Sequence, residues 1–543
     1  MIIAEPTFSE ATFDVIVIGA GINGAGIARD AAMRGLKVLL LDKGDIGSGT
    51  SSWSTRLIHG GLRYLEHGEF GLVRESLRER KCLLNIAPHL VRPLPLLVPV
   101  YKGSRRGPWT VRAGMFFYDL LSFDKTLPSH RLLSRDETLQ EAAALEPEGL
   151  LGGVLYYDAQ VEYAERLVLE NALSAVAHGA EVVTYARVDH LIVEDGRVAG
   201  VEFRSELTGG NYVACATVVV NAAGPWVDEL PGKGSDGSER LIGGTKGSHI
   251  IVGAFPGSPV GAIYVEAQTD QRPFFIIPWN GNYLIGTTDI RYDGDLDNLQ
   301  IEGHEIDYLL RETNRVIPGA NLDRSKILFT YAGVRPLPFT GDKDEQSITR
   351  RHFIRPHPSI ENLLSIVGGK LTTYRSLAEE TVDLLFKKLG QDSPKCTTHQ
   401  VSLPGGDTTH FETFQANFRR QHGLPTATCD HLLRTYGVAA AAVMELVSQD
   451  SRLAEIFDPE TGAIAAEVVH AFKNELAQTL ADCLLRRTMV GLNSTCGLNA
   501  IEATGRILQE HLGWPEEFIE AEIAAYRKHV ERFRLLQSVK GAQ

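Results

Sequence analysis

The sequence predicts an α/β protein followed by a C-terminal all-α domain. Between Asp14 and Lys43 the pattern is typical of a buried strand, a glycine turn, a helix and a second buried strand. Further strand patterns between Thr245 and Gly286 indicate an antiparallel sheet in a second layer. From Val401 onward, a Leu-Pro-Gly-Gly break is followed by helical patterns, which indicate a separate helical domain.

The first of these elements carries the motif G-x-G-x-x-G at Gly19, Gly21 and Gly24. The first glycine permits a tight turn, the second lets a pyrophosphate approach the backbone, and the third lets the helix pack against the strand. The helix that starts near Asn23 would direct its N-terminal amides at that pyrophosphate. Asp42 ends the second strand, where a carboxylate can bind ribose hydroxyls and disfavours NADP. The motif predicts a dinucleotide site and leaves FAD and NAD open; a glycine-rich turn without ligand is the alternative.

The segment from Gly44 to Arg63 is rich in small and hydroxyl residues, which can surround a phosphate or a ring system. We assign its hydroxyls to the pyrophosphate side and a histidine-glycine-glycine stretch to a flat heterocycle. These residues are Thr50, Ser51, Ser52, His59, Gly60 and Gly61. Arg56 serves at most the pyrophosphate. The alternative is a turn that leads into the next helix, and both interpretations can hold together.

Two later strands also end at glycines. A buried strand at residues 217–221 is followed by Ala223 and Gly224, where a cofactor could lie against the backbone. Another strand, residues 363–371, contains two glycines and Lys370 at its end. A helix then opens and runs to about Leu389, and its N-terminal amides would point at an electron-rich group.

Composition excludes several classes of protein. The chain has 543 residues, of which 43% are hydrophobic and 22% charged, as in ordinary globular proteins. Its net charge of −14 argues against bulk nucleic-acid binding. Six scattered cysteines without a C-x-x-C pair predict reduced thiols. The first strand begins near Asp14, so we expect no signal peptide. No apolar run of roughly 18 residues is present, so we expect no transmembrane helix.

The segment Lys102–Leu121 differs from its surroundings because basic and aromatic residues are interleaved in it. They are Lys102, Arg105, Arg106, Arg112, Trp109, Met115, Phe116, Phe117 and Tyr118. A basic and aromatic amphipathic helix is typical of peripheral contact with a membrane surface. The alternative is a helix packed on the second domain with its basic end in solvent.

Several long motifs resemble FAD-dependent glycerol-3-phosphate dehydrogenases, in order along nearly the whole chain. They are SSWSTRLIHGGLRYLEHGEF at residues 51–70, KGSHIIV, GTTDI, YAGVRPL, GGKLTTYRSLAEE, the LPGG break and the RRT-x-x-G region at residues 486–491. One departure is Asp42, where this family often has glutamate. The shorter carboxylate still matches the ribose role.

The resemblance implies FAD rather than NAD and a fold like that of D-amino-acid oxidase. In that fold a Rossmann-type FAD-binding domain is interleaved with a mixed-sheet substrate domain. We place the FAD-dependent region at residues 1–400, with FAD-binding parts at about 1–100, 155–245 and 355–400. The substrate-binding parts then lie at about 101–154 and 246–354, and the helical domain at 401–543. The resemblance also implies a quinone acceptor, a peripheral position on the cytoplasmic face of the membrane, and a homodimer.

The same resemblance extends the assignment of site residues. Cofactor binding is assigned to Gly19, Gly21, Asn23, Gly24, Asp42, Thr50, Ser51, Ser52, His59, Gly60, Gly61, Val188, Ala223, Gly224, Gly369, Lys370, Leu371 and Thr372. Substrate binding is assigned to Arg63, Tyr64, Arg335, Lys370 and Thr373, and catalysis to His249, Arg335 and Lys370. No metal is expected.

Each of these roles has a chemical reason. Arg63 suits the substrate phosphate, Arg335 the region near the reacting carbon, and Lys370 either phosphate or flavin charge. His249 is the proposed base, since histidine titrates near neutral pH. The alternatives are surface ion pairs for the cations and a structural role in the sheet for His249.

The expected reaction is oxidation of sn-glycerol 3-phosphate to dihydroxyacetone phosphate, with electrons passed from FAD to a membrane quinone. The nearest alternative is a glycerol-3-phosphate oxidase that uses oxygen, whose family carries an insert not seen in this sequence. A flavin-binding protein without turnover is a further alternative. The predicted arginine and lysine residues argue against an amine oxidase, because an amine substrate has no phosphate for them to bind.

Overall fold

Two β-sheets and a C-terminal group of helices make up the fold. The computed structural model describes residues 7–9, 11–122, 126–230, 240–341 and 348–535, and it leaves out the side chains of Arg63 and His67. Among the described residues, no helix is both long enough and apolar enough to cross a membrane.

The strands are β1 (Phe13–Ile18), β2 (Val38–Leu41), β3 (Leu57–Ile58), β4 (Val91–Tyr101), β5 (Arg131–Ser134), β6 (Leu150–Val161), β7 (Glu181–Val183), β8 (Ala186–Glu194), β9 (Arg197–Ser205), β10 (Asn211–Asn221), β11 (Thr245–Val252), β12 (Ala262–Glu266), β13 (Pro273–Trp279), β14 (Asn282–Gly286), β15 (Ile290–Arg291), β16 (Ile327–Arg335), β17 (Phe353–Pro356), β18 (Leu363–Val367), β19 (Ile456–Asp458) and β20 (Ala463–Ile464).

The helices are α1 (Ile22–Met33), α2 (Phe70–Ile86), α3 (Pro108–Leu121), α4 (Arg135–Glu141), α5 (Ala164–Ala177), α6 (Gly303–Val316), α7 (Tyr374–Leu389), α8 (Phe411–Gln421), α9 (Thr426–Tyr436), α10 (Ala440–Gln449), α11 (Ala465–Asn474), α12 (Leu480–Asp482), α13 (Ile501–Leu512) and α14 (Glu516–Val530). A 3₁₀ turn covers Leu62–His67, and a π-helical turn, Cys483–Arg487, follows α12.

The first sheet has the strand order β17-β18-β10-β1-β2-β7, and β8 and β9 form an antiparallel extension from β10. Strands β18, β10, β1, β2 and β7 run parallel. Helices α1, α5 and α7 cover one face and bury it. The carboxyl ends of β1, β2, β10 and β18 therefore meet along one edge, where an open parallel sheet binds its ligand.

The second sheet has the order β15-β11-β14-β13-β12-β4-β6-β3, with β16 beside β11 and β5 beside β6. The segment at residues 88–100, with four prolines, predicts an edge strand, but β4 lies inside this sheet between β12 and β6. Pro93, Pro95 and Pro99 all occupy odd positions, so their missing N–H groups fall on one side of the strand. On the other side the ladder to β6 continues over the whole strand. Strands β3 and β4 belong to this sheet, so the sheet begins earlier in the chain than the predicted start of the substrate-binding part at about residue 101.

The helical domain follows the second sheet and shares a core with it. Buried residues of β4, β6 and β16 belong to the same hydrophobic cluster as those of α9, α11, α13 and α14. A short β19-β20 ribbon is the sheet structure described within this domain. The helical domain therefore packs directly on the second sheet.

Candidate active site

The glycine turn after β1 is fixed by close packing. Gly19 has a φ of +101°, and a Cβ there would lie 2.7 Å from the carbonyl oxygen of Ala222. A Cβ on Gly24 would lie 1.8 Å from the Gly19 carbonyl oxygen. At Gly21 the nearest atom is the Ser51 hydroxyl at 3.4 Å, so the backbone is open to a ligand. Each glycine of the motif thus has the surroundings that a dinucleotide turn requires.

Asp42 lies directly over this turn. Its carboxylate accepts hydrogen bonds from the backbone N–H groups of Ala20 at 2.6 Å and Gly44 at 2.8 Å. Burial raises the pKa of this carboxyl group. The end of β2 therefore places an acceptor beside the glycine turn, at the position assigned to ribose binding.

The three hydroxyl residues of the following loop differ in their contacts. The Ser51 hydroxyl oxygen accepts a hydrogen bond from the Ile22 N–H at 3.0 Å, so it lies at the N-terminus of α1. Thr50 donates to the Val334 carbonyl oxygen at 2.8 Å, and Ser52 donates to the Gly47 carbonyl oxygen at 2.6 Å. Ser51 is thus closest to the assigned pyrophosphate position, while the other two hydroxyls also hold the loop in place.

Arg56 does not face the pyrophosphate. Its guanidinium is fully buried, makes two 2.7 Å contacts with Glu165 and lies 4.4 Å from the centre of the Trp279 ring. The sequence assigned this residue at most to the pyrophosphate, and that assignment is wrong. The loop turns at Arg56, whose φ is +59°, and this turn directs its side chain into the core.

The segment after β18 packs against the N-terminal part of α1. The Asn23 side-chain amide donates to the Gly368 carbonyl oxygen at 3.4 Å, and its oxygen is buried with no partner among the described residues. A Cβ on Gly369 would come within 3.0 Å of Asn23. The Thr372 hydroxyl oxygen accepts a hydrogen bond from the His59 N–H at 3.2 Å. Three segments that are distant in sequence therefore meet at this place, and their glycine backbone and the unpaired Asn23 oxygen fit a dinucleotide.

Three of the other assigned cofactor residues belong to or follow strands of the first sheet, whereas Gly60 follows β3 of the second sheet. Ala223 and Gly224 follow β10, beside Gly19, and Gly224 has a φ of +60°. Val188 lies in β8 and packs against the cluster on the face away from α1. Gly60 donates its N–H to both the Tyr118 hydroxyl oxygen at 3.1 Å and the Asp158 carboxylate at 3.2 Å.

A cavity of about 220 Å³ lies beside His59 and strands of the second sheet. It is lined by Thr55, Leu57, His59, Gly61, Leu62, Tyr64, Glu69, Leu96, Tyr156, Asp158, Tyr264, Arg272, Pro273, Phe275, Thr287, Asp289, Arg335, Ile348, Thr349 and Arg350. The structure thus brings together His59, Gly61, Tyr64 and Arg335 of the predicted set. The Arg63 side chain lies outside the described part of the chain.

Three guanidinium groups meet at one corner of the cavity around Asp289. Arg335 donates to the Asp289 carboxylate at 3.0 Å and to the Thr287 hydroxyl at 3.1 Å. Arg350 lies 3.4 Å from the same carboxylate, and Arg272 donates to the Asp289 backbone carbonyl. Although burial opposes it, these neighbouring arginines lower the pKa of Asp289. The corner is therefore positive and suited to a dianion.

Lys370 contacts Tyr64, one of the residues that line the cavity. Its ammonium donates to the Ser76 hydroxyl at 2.5 Å and lies 4.6 Å from the centre of the Tyr64 ring. Burial lowers the pKa of Lys370 to about 8, against the opposing effect of Glu75, Glu69 and Asp158. Thr373 is buried where α7 begins.

Two histidines lie near the cavity in different ways. His59 lines it directly, and burial lowers the pKa of His59 to about 4. His249 is buried behind Thr55, with its Nε2 3.0 Å from the Thr55 hydroxyl and its ring 4.8 Å from that of Tyr331. Burial and the charge of Arg335 lower the pKa of His249 well below its usual value. Both rings are therefore neutral at pH 7.

Sequence reasoning missed Thr55, Asp158, Arg272, Asp289 and Arg350 as cavity residues. Asp289 ends the polar turn in GTTDI and could have been noticed there. The two arginines carry no local signal, because Arg272 lies just before β13 of the second sheet and Arg350 just before β17 of the first, and only folding brings them together.

Comparison with known proteins identifies the family. A family described as "FAD dependent oxidoreductase" matches residues 14–384, and one described as "C-terminal domain of alpha-glycerophosphate oxidase" matches residues 396–518. A glycerol-3-phosphate dehydrogenase from Synechocystis sp. is 48% identical over 540 residues, which cover 97% of this chain and 98% of the relative. The chain belongs to the FAD-dependent glycerol-3-phosphate dehydrogenase family.

Two further members of the glycerol-3-phosphate dehydrogenase family support this. An aerobic glycerol-3-phosphate dehydrogenase from Staphylococcus aureus is 34% identical over 98% of this chain and 95% of the relative. The X-ray structure of the glycerol-3-phosphate dehydrogenase from Bacillus halodurans, complexed with FAD, is 29% identical with a TM-score of 0.79 and 97% coverage of both chains. The predicted fold and the choice of FAD over NAD are confirmed.

Proposed function

We propose that the protein oxidises sn-glycerol 3-phosphate to dihydroxyacetone phosphate and passes the electrons to a membrane quinone. The observation that carries this proposal is the corner of Arg335, Arg350 and Arg272, which lies in the same cavity as His59 and Thr55. A cationic corner beside neutral proton acceptors suits a phosphate ester that carries an oxidisable alcohol.

The arginine corner would bind the substrate phosphate. A phosphate dianion loses strong hydration on entering a cavity, and charge-assisted hydrogen bonds to guanidinium groups offset that loss. Arg335 and Arg350 already share the Asp289 carboxylate, which holds both side chains in place before substrate arrives. Tyr64 also lines the cavity, and Lys370 beside its ring adds a positive charge below about pH 8.

The alcohol must lose a proton while carbon 2 loses a hydride. Bound FAD supplies the hydride acceptor. We propose His249 as the base, and its contact with Thr55 gives it a route to the cavity: Thr55 takes the hydroxyl proton and gives its own to Nε2. His59 is the second candidate because it reaches the cavity without an intermediate group. Arg335 would stabilise negative charge that develops on the substrate oxygen.

Product formation tests the activity. Purified protein incubated with glycerol 3-phosphate and an artificial electron acceptor should form dihydroxyacetone phosphate. Glycerol, which has no phosphate, should react far more slowly, because the arginine corner would have no charge to bind. Turnover of amines or free hydroxy acids, with none of glycerol 3-phosphate, would contradict the proposal.

The acceptor is proposed to be a quinone dissolved in the membrane, because a candidate membrane-binding face of the protein lies next to the cavity. Helix α3 exposes four large apolar side chains: Trp109 (78% exposed), Phe116 (62%), Phe117 (46%) and Leu120 (56%). Its buried side packs on the 3₁₀ turn Leu62–His67, whose Leu62 and Tyr64 line the cavity. The guanidinium of Arg112 lies 5.2 Å from the Trp109 ring centre, which gives the face a basic group beside its most exposed aromatic side chain.

From this face we propose peripheral attachment to the cytoplasmic side of the membrane, and from the family resemblance a homodimer. Reduction of a water-soluble quinone at a rate above oxygen consumption would support the dehydrogenase. Hydrogen peroxide formed in step with substrate loss would show an oxidase instead. Light scattering of the purified protein measures the oligomeric state.

A further inference from the structure

The loop at residues 44–55, here named the cofactor loop, joins β2 to β3 and lies against the glycine turn. The Gly47 N–H donates to the Ala20 carbonyl oxygen at 3.0 Å, and the Ser51 hydroxyl oxygen accepts from the Ile22 N–H at 3.0 Å. A shift of this loop would therefore alter the polar groups at the N-terminus of α1, where the FAD pyrophosphate binds in this kind of fold.

The helical domain contacts the first part of the cofactor loop through buried charges. Asp45 is buried, and its carboxylate accepts from Arg487 at 2.7 and 2.8 Å and from the Nε of Arg486 at 2.5 Å. Both arginines come from the π-helical turn Cys483–Arg487, a form of helix that is frequent at functional sites. Against the effect of burial, the two guanidinium groups lower the pKa of Asp45.

A second carboxylate extends the same network. Arg486 also donates to Asp482 at 2.7 Å, and Asp482 accepts a 2.6 Å hydrogen bond from the Tyr185 hydroxyl. The Tyr185 N–H in turn donates to the Gly44 carbonyl oxygen at 2.9 Å. The first residues of the loop are thus tied to the helical domain by side chains on both sides.

Aromatic packing holds the other end of the cofactor loop. The Trp53 ring lies 4.9 Å from the Phe533 ring and 5.6 Å from the Tyr331 ring, measured between centres. The Arg532 guanidinium is 5.6 Å from the Trp53 ring centre. Trp53 also donates its indole N–H to the Ser48 carbonyl oxygen at 3.2 Å, inside the loop.

We propose that the helical domain keeps FAD bound by holding the cofactor loop at both ends, with Arg486, Arg487 and Phe533 as positioning residues. None of these three side chains is assigned to substrate or acceptor. The proposal rests on FAD binding alone and stands independently of which acceptor is used.

A second buried ion pair between the same two parts of the molecule provides a matched control. Arg166 in α5 contacts Glu475 of the helical domain at 2.7 and 2.8 Å, with both side chains buried. Neither side chain of this pair contacts the cofactor loop; the Glu475 backbone carbonyl oxygen also accepts a hydrogen bond from Arg487 at 2.7 Å, and Glu475→Gln leaves this backbone bond in place. Asp45→Asn and Glu475→Gln each remove one buried carboxylate charge from an arginine, but only the first acts on the loop.

The test compares FAD release from the full-length holoprotein. Wild type, Asp45→Asn, Arg487→Lys and Glu475→Gln are diluted in series, and free FAD is measured by its fluorescence. Thermal unfolding of each FAD-free protein is measured in parallel. Asp45→Asn and Arg487→Lys should raise the FAD dissociation constant by about tenfold or more, while Glu475→Gln lowers the unfolding temperature with less than about a twofold change in FAD binding.

Phe533→Leu acts at the other end of the loop without disturbing a buried charge and should also weaken FAD binding. If Asp45→Asn does not fold, FAD binding by Phe533→Leu still tests the proposal. Wild-type FAD affinity in the folded Arg487→Lys and Phe533→Leu proteins would overturn the proposal. Equal loss of FAD in Glu475→Gln would overturn it too, because the effect would then come from a weakened domain interface in general.

Discussion

The Thr55 hydroxyl lies 3.0 Å from Nε2 of His249, and it separates this buried histidine from the cavity. A neutral imidazole in this position can exchange a proton with the cavity through a single hydroxyl group. His59 instead lines the cavity directly. Mutation of Thr55 or His249 would therefore test one proton route, and mutation of His59 the other.

Removal of either member of the proposed route should slow reduction of the flavin by substrate. His249→Asn should lower the rate of anaerobic flavin reduction by about 10²- to 10⁴-fold, because general base catalysis contributes that much. Thr55→Val should lower it as well, and Thr55→Ser should restore it. Stopped-flow absorbance gives the rate, and its substrate dependence gives the dissociation constant, which should change little.

The matched variant for this experiment is His59→Asn. An unchanged rate in His249→Asn together with a large loss in His59→Asn would move the base role to His59. An unchanged rate in Thr55→Val would show that no proton passes through this hydroxyl group.

The arginine corner should determine affinity for the phosphate. Arg350→Gln removes one charged donor, and a hydrogen bond to a charged group is worth about 1.5–3 kcal/mol. The KM for glycerol 3-phosphate should therefore rise by roughly 10- to 150-fold, since about 1.4 kcal/mol corresponds to a factor of ten. Steady-state kinetics with an artificial acceptor measures this.

Arg324→Gln is the control for charge, because Arg324 forms an exposed ion pair with Asp307 away from the cavity. Its KM should equal that of wild type. If the KM of Arg350→Gln also equals that of wild type, Arg350 does not bind the phosphate.

Lys370 should make substrate affinity depend on pH. Its pKa of about 8 means that the side chain is positive below pH 8 and loses this charge as the pH rises. The phosphate is already dianionic above about pH 7, since its second pKa is about 6. The KM should thus increase as the pH rises through about 8 and beyond, because a bound dianion favours the protonated amine.

Lys370→Arg keeps a positive charge throughout this range and should abolish the pH dependence. KM values measured between about pH 6.5 and 9.5 would show it. A pH profile that is the same in both proteins would assign the dependence to another group.

The exposed face of α3 should determine membrane attachment. Trp109→Ser combined with Phe116→Ser removes two of its most exposed apolar side chains and should release the protein from anionic lipid vesicles, with FAD retained. Co-sedimentation with vesicles measures binding, and flavin absorbance measures FAD content. Leu132→Ser combined with Leu151→Ser alters exposed apolar residues of the second sheet and should leave sedimentation unchanged. Retention of the α3 variant on washed vesicles would contradict this assignment.

The local parts of the fold could be predicted from the sequence. The glycine motif lies within one strand–turn–helix element, so its spacing indicates both the turn and the acid at Asp42. The helical periodicity after residue 401 similarly predicted the C-terminal domain. Proline content suggested an edge position for β4, but the three odd-numbered prolines leave the other side of this strand free to pair.

The cavity itself could be predicted only in part. Arg335 and Tyr64 lie in motifs of the family, so the sequence predicted them as site residues, and both line the cavity. Arg350 and Thr55 became site residues only through folding, because the segment before β17 and the cofactor loop are distant in sequence and meet at the cavity. The burial of Arg56 against Glu165 likewise depends on a turn that no sequence pattern showed.

The most direct test of the account is anaerobic. Purified holoprotein is mixed with glycerol 3-phosphate without an acceptor, and in a parallel sample with glycerol, while flavin absorbance is followed. The account predicts rapid bleaching by glycerol 3-phosphate and little by glycerol, since the arginine corner binds the phosphate. A flavin that dithionite reduces but glycerol 3-phosphate does not would contradict the proposed substrate.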